Sequence, residues 1–127
     1  MREVERRQFL RGCGDVADGV AVGEGAFAPG PALWVGTREV AHFDDDRTLD
    51  VRLTKAEIRR RRDALRGDER VSLRRGASDW VEITIRSSSD VDWAKEVVLA
   101  AIAANGPSPS PGLPPTGAAL ERRRRFH

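Results

Sequence analysis

Between Thr48 and Leu53 the chain alternates residue by residue. Leu49, Val51 and Leu53 fall on one side of an extended strand, and Thr48, Asp50 and Arg52 on the other. The pattern returns from Trp80 to Ile85, where Val81, Ile83 and Ile85 alternate with Trp80, Glu82 and Thr84. Two segments with one apolar side each commit the chain to a sheet that needs a covering layer on that side. The other strand signals come in runs with short connections. Ala32–Val35 and Arg38–Phe43 flank a Gly36-Thr37 turn, and Val71–Arg74 precedes the Trp80 strand across Gly76-Ala77-Ser78-Asp79. A short apolar piece, Val20-Ala21-Val22, lies further upstream. Runs of strands with short links give a mainly antiparallel sheet, with helices on one face.

Three helices are expected. Thr54-Lys55-Ala56-Glu57 is a capping box, in which hydroxyl and carboxylate each satisfy a free backbone N–H, and Gly67 supplies the stop. Ser89, with Asp90 and Asp92 in the first turn, starts a helix whose stripe of Val91, Ala94, Val97, Val98, Ala101 and Ile102 is the broadest in the chain. Asn105-Gly106-Pro107 ends it. Arg2–Arg11 reads as a charged amphipathic helix with a thin apolar face of Val4, Phe9 and Leu10, and so as a peripheral element. The expected fold is α+β: a mostly antiparallel sheet of about five strands with helices packed on one face. The expected organisation is a charged helix and loop over 1–18, the α+β domain over 19–106, and a Pro/Ser-rich tail over 107–127 that cannot bury enough apolar surface to offset its ordering entropy.

Charge narrows the function classes. The pI of about 9.3 suggests nucleic acid. Four of the 22 basic residues, Arg122 to Arg125, and one of the 20 acidic residues lie after Pro107, so the rest of the chain carries one more acid than base. Nucleic-acid binding would therefore depend on the tail. No apolar run approaches the roughly 18 residues of a membrane span. Met1–Arg7 lacks the apolar core of a signal peptide, so no membrane partner and a cytoplasmic location are expected. Cys13 is the single cysteine, which rules out an internal disulfide, and a loop position or a small buried thiol is expected for it.

Gly23-Glu24-Gly25-Ala26-Phe27-Ala28 fits a G-x-G-x-x-A dinucleotide pattern. That chemistry needs a helix to begin there, which Pro29-Gly30-Pro31 forbids, so the segment reads as a glycine-rich loop and no cofactor is expected. There is no phosphate-binding Gly-Lys-Ser/Thr loop, no Gly-x-Ser-x-Gly elbow and no HExxH. Arg59–Arg62 wrap more than half a helical turn and read as a solvated face. The three tryptophans read as core or rim packing.

The sharpest polar constellation is Glu39-Val40-Ala41-His42-Phe43-Asp44-Asp45-Asp46. His42 is the one histidine outside the tail, able to act as a general base or a metal ligand. Asp44 lies on its side of an ideal strand, Asp50 is available across the sheet, and Glu39 falls on the opposite side unless a bulge intervenes. One histidine with acids makes a poor zinc site, and the aspartate run lacks calcium-loop spacing, so no metal is expected. Arg38 offers a fork for an anionic group. The candidate binding residues are Arg38, Glu39, His42 and Asp50, with His42 the candidate catalytic group.

Trp34-Val35-Gly36-Thr37-Arg38-Glu39-Val40-Ala41-His42-Phe43, Leu49-Asp50-Val51-Arg52-Leu53, Ser78-Asp79-Trp80-Val81 and the closing helix together resemble the small luciferase-domain family, over about Gly19 to Asn105. The resemblance implies a compact α+β domain with no established reaction. It singles out Arg38, Glu39, His42 and Asp50. Light emission is not carried over with the name: flavin-dependent luciferases resemble (β/α)₈ barrels of about 250 residues. More faintly, the chain resembles small sheet-and-helix domains suspected of binding DNA. The functional expectation is a non-catalytic binding or accessory module for a small ligand or protein partner. The alternatives are an enzyme centred on His42 and a weak nucleic-acid binder through Arg122, Arg123, Arg124 and Arg125.

Overall fold

A computed structural model describes residues 1–15 and 17–106 of the chain. The expected tail, with its arginine run, lies outside the described residues. The elements run α1 (Glu3–Gly14), β1 (Val20–Glu24), β2 (Pro31–Val35), β3 (Arg38–Phe43), β4 (Thr48–Arg52), α2 (Lys55–Arg60), α3 (Arg62–Arg66), β5 (Val71–Leu73), β6 (Trp80–Thr84) and α4 (Ser88–Asn105). The strands form one antiparallel sheet in the order β1-β2-β3-β4-β6-β5. The fold is α+β, with six strands rather than about five. The additional strand grows from the Val20-Ala21-Val22 piece, which Gly23 extends along β2 to Glu24 opposite Pro31.

Alternation sorts the sheet into two faces. Leu33, Val35, Val40, Ala41, Phe43, Leu49, Val51, Val81 and Ile83 join one core with the helices. α4 enters that core through Ala94, Val98, Ala101 and Ile102, while Val91 and Val97 are half-buried at its edge. Its cap is Ser87, whose Oγ accepts from Asp90 N at 3.3 Å, two residues before the expected Ser89. Thr54 Oγ1 accepts from Glu57 N as the capping box requires, but the Glu57 carboxylate turns to Arg60 and Arg61 instead of reaching back. The expected single helix from Thr54 is split at Arg61, where φ −103° and ψ 12° leave the helical range.

The N-terminal helix is not peripheral. α1 packs on β1, β2 and α4 and buries Leu10, Cys13 and Gly14 completely or nearly so. The face was underestimated because two of its three buried positions are small. A Cβ on Gly14 would come within 3.2 Å of Leu33 Cδ1, so the missing side chain is what allows the helix to approach β2. None of the helices among the described residues is long and apolar enough to cross a membrane.

Among the described residues, no helix joins the second face of the sheet. Ala32, Trp34, Glu39, His42, Asp50, Trp80 and Glu82 lie on it, and Ala26 from the loop after β1 folds onto Ala32 and Trp34.

Candidate functional site

Three polar residues are buried in the described part of the chain: Glu39, His42 and Asp50. All three stand on the second face. His42 and Asp50 are direct cross-strand partners in the β3–β4 ladder, so their side chains share a face by register. Glu39 joins them through an irregularity. Leu33 pairs with Ala41 but Trp34 pairs with Glu39, which leaves Val40 as an extra residue in β3. A bulge of this kind lets two consecutive side chains point the same way. Val40 and Ala41 both enter the core, and Glu39 emerges beside His42.

The geometry is that of an imidazole held at both ends. His42 Nδ1 lies 3.6 Å from Glu39 Oε2, and His42 Nε2 lies 3.2 Å from Asp50 Oδ2 and 3.4 Å from Asp44 Oδ1. Glu39 is itself anchored, its Oε1 accepting from the Ala26 backbone N–H at 3.0 Å. Asp50 Oδ2 accepts from Arg74 Nη2 at 2.9 Å. Phe27 and Trp80 wall the imidazole, with ring centroids 6.2 and 5.2 Å from it and 5.2 Å from each other. Glu39 Oε2, His42 Nδ1 and Asp50 Oδ1 are buried without a hydrogen bond.

The protonation states follow from this crowding. Burial by itself pushes the imidazole pKa down, but the Asp50 and Glu39 carboxylates outweigh it and raise His42 to about 9. Asp44 is pushed up to about 6, first by burial and then by the neighbouring Asp50 charge. Burial works the other way on Asp50 too, yet contact with His42 and Asp44 and the Arg74 charge hold it below the usual carboxylate range. The cluster can therefore hold a proton, pass one, or bind a cation. Its exposed member is Asp44, whose side chain is 40% accessible.

The glycine-rich loop that resembled a dinucleotide motif forms no helix. It closes on itself through Gly25 N–H to Gly30 O at 2.8 Å and roofs the cluster, supplying the Ala26 amide and the Phe27 ring. A Cβ on Gly25 would fall 2.4 Å from Ala28 O, so only glycine permits that closure. The aspartate run has a local reason as well: Asp45 Oδ1 accepts from the Arg47 and Thr48 amides and builds the β3–β4 turn.

Of the residues singled out in the sequence, the structure brings together Glu39, His42 and Asp50. Arg38 stands apart, exposed at the start of β3 with Nη1 3.5 Å from Asn105 Oδ1. Sequence reasoning missed Arg74, which lies beyond the end of β5 where strand parity no longer assigns a face, and it missed the roofing part of Phe27. Cys13 is a buried helical thiol rather than a loop residue, with its pKa pushed up to about 11 chiefly by burial.

An antiparallel sheet whose described helices pack on one face, with a buried acid–histidine–acid cluster on the other, defines a small α+β domain with a polar centre. The Luciferase domain family model matches residues 37–101, about half of the chain, and the chain belongs to the luciferase-domain family. The match encloses Glu39, His42, Asp44, Asp50, Arg74 and Trp80, while the roofing loop and Trp34 precede it. No match was found among curated proteins or among solved structures.

Proposed function

We propose that the domain is a binding module for a small anionic ligand. The observation behind this reading is a cavity of about 480 Å³ at the end of the sheet, lined by Arg62, Arg66, Arg74 and Arg75 around Ile58, Leu73 and Trp80. Its volume falls within the range of small-molecule sites. Four guanidinium groups around one concavity repel each other unless anions intervene. Arg74 meets Asp50, but among the described residues Arg62, Arg66 and Arg75 have no carboxylate partner in an ion pair. A guanidinium fork matches a carboxylate or phosphate group in shape and charge. Trp80 lines both the cavity and the His42 cluster, so a ligand anchored on the arginines would reach towards the polar centre.

The test is a panel of inorganic phosphate and organic mono- and dicarboxylates, followed by amide shifts from Arg74 to Trp80. A charged hydrogen bond contributes about 1.5–3 kcal/mol. Arg62→Ala with Arg75→Ala should therefore weaken any member that binds by at least about tenfold per residue. A panel that leaves those amides unmoved, or a double variant binding as tightly as the parent, refutes the reading.

A second reading, acid–base catalysis by His42, is favoured by the carboxylates at both of its ring nitrogens. Its burial beneath Phe27 and Trp80 favours binding over turnover.

A further inference from the structure

We infer that His42, Asp44 and Asp50 form a site for a divalent cation of the manganese(II) class. Each offers one ligand atom, and the three atoms lie within 4.8 Å of one another. His42 Nε2 is 3.4 Å from Asp44 Oδ1 and 3.2 Å from Asp50 Oδ2. Metal–ligand bonds of roughly 2.0–2.2 Å put neighbouring ligand atoms roughly 3 Å apart, so an ion fits among these atoms with small adjustments.

Two further observations point to a cation rather than to a fortuitous cluster. Glu39 stands behind the imidazole, 1% exposed and fixed by the Ala26 amide, with Oε2 facing Nδ1 at 3.6 Å. A carboxylate behind the far nitrogen is the usual device that fixes the tautomer of a metal-binding histidine, placing the proton on Nδ1 and the Nε2 lone pair towards the ion. Asp50, 2% exposed, has an Oδ1 with no hydrogen-bond donor, while its Oδ2 accepts from Arg74; the bare Oδ1 is a costly condition for a buried carboxylate that an ion held by both of its oxygens relieves.

The charge balance agrees. Glu39, Asp44 and Asp50, with Glu82 opposite Asp50 on β6, outnumber one imidazolium and one guanidinium, and the ion takes the place of the proton on His42 Nε2. One imidazole with two carboxylates is too oxygen-rich for a structural zinc site and suits harder first-row ions. Three protein ligands leave positions open, and the accessible side chain of Asp44 places them towards solvent. This site uses different groups from those that would hold the anion, apart from Arg74, which touches Asp50, so either can fail alone.

Manganese(II) is titrated into the chelator-treated full chain while the free-ion paramagnetic resonance signal and the melting temperature are followed. One ion per chain and a melting temperature that rises with manganese concentration are expected. Asp44→Asn, an exposed change that circular dichroism will show to be folded, should weaken binding at least tenfold. Glu39→Gln keeps the acceptor for Ala26 and should weaken it roughly 10–100-fold. Asp46→Asn, on the same turn, should leave it unchanged. Absence of saturable binding, parental affinity in Asp44→Asn, or an equal loss in Asp46→Asn overturns the inference.

Discussion

Glu39 and His42 are three residues apart on one strand, yet their side chains meet on one face, Oε2 to Nδ1 at 3.6 Å. A regular strand would send them to opposite faces. The extra residue Val40 takes up the difference by turning into the core next to Ala41. The bulge thus converts a core strand into one that presents a carboxylate and an imidazole together.

That pairing depends on the roof. Gly25→Ala would set a Cβ 2.4 Å from Ala28 O and 3.2 Å from Glu39 Oε1. The loop has to open, and the Ala26 N–H leaves a buried carboxylate. The expected loss is about 1–3 kcal/mol by denaturant unfolding, with a change in the His42 ring resonances. A parental stability and an unchanged His42 signal would show that the loop does not hold Glu39.

The helix layer makes a separate prediction. Val98 is fully buried where α4 meets the sheet. Val98→Asp puts an unpaired carboxylate there and should cost several kcal/mol, on the order of 3–5. Val4→Asp, at a side chain 65% exposed, should melt like the parent. Equal melting of both variants would mean that α4 does not pack as described.

The elements made by period and punctuation were legible in the sequence. Leu49, Val51, Val81 and Ile83 announce the apolar face of the sheet, and Ala94, Val98, Ala101 and Ile102 announce the helix that covers it. The sequence was less clear where one residue decides among equivalents. Three consecutive serines stand where α4 begins, and the first of them, Ser87, is the cap while Ser88 and Ser89 are already helical. Of the site, His42 and Asp50 stood out as polar residues in or beside apolar strands. The bulge that recruits Glu39 leaves no periodic trace, because it consists of one residue out of step. Arg74 and Phe27 reach the site from turns, whose direction is set by tertiary contacts rather than by local pattern.

Cys13 should be inert. Burial pushes its pKa up to about 11, against a smaller lowering by Lys95. Since the folded thiol holds its proton more tightly than the unfolded one, this group favours the folded state fully below the ordinary thiol pKa, and that contribution is lost as pH rises through about 11. At pH 8 a disulfide reagent should label the native chain only through unfolding, at a rate that follows denaturant concentration. Prompt stoichiometric labelling without denaturant would place the thiol at the surface.

Arg70 ties the start of α4 to the loop before β5 through two carboxylates, which makes this contact acid-sensitive. Its Nη2 lies 2.7 Å from Asp68 Oδ2, its Nη1 3.3 Å from Asp90 Oδ1, and its guanidinium carbon 3.7 Å from the centroid of the Trp93 ring. Arg70 lowers the Asp68 pKa, while Asp90 is lowered first by the Arg86 amide and then by Arg70. Carboxylates with lowered folded pKa values contribute stability above their unfolded pKa, and that stability is lost as pH falls through the folded value. Arg70→Ala removes most of this for Asp68 and only part for Asp90, which keeps its backbone donors. The variant should therefore lose melting temperature at pH 7 and approach the parent near pH 2, where the carboxylates are protonated in both. Trp93 emission should shift as well, because the cation over its ring is gone. A melting difference that stays constant from pH 7 to pH 2 would assign the effect of Arg70 to packing on Trp93 alone.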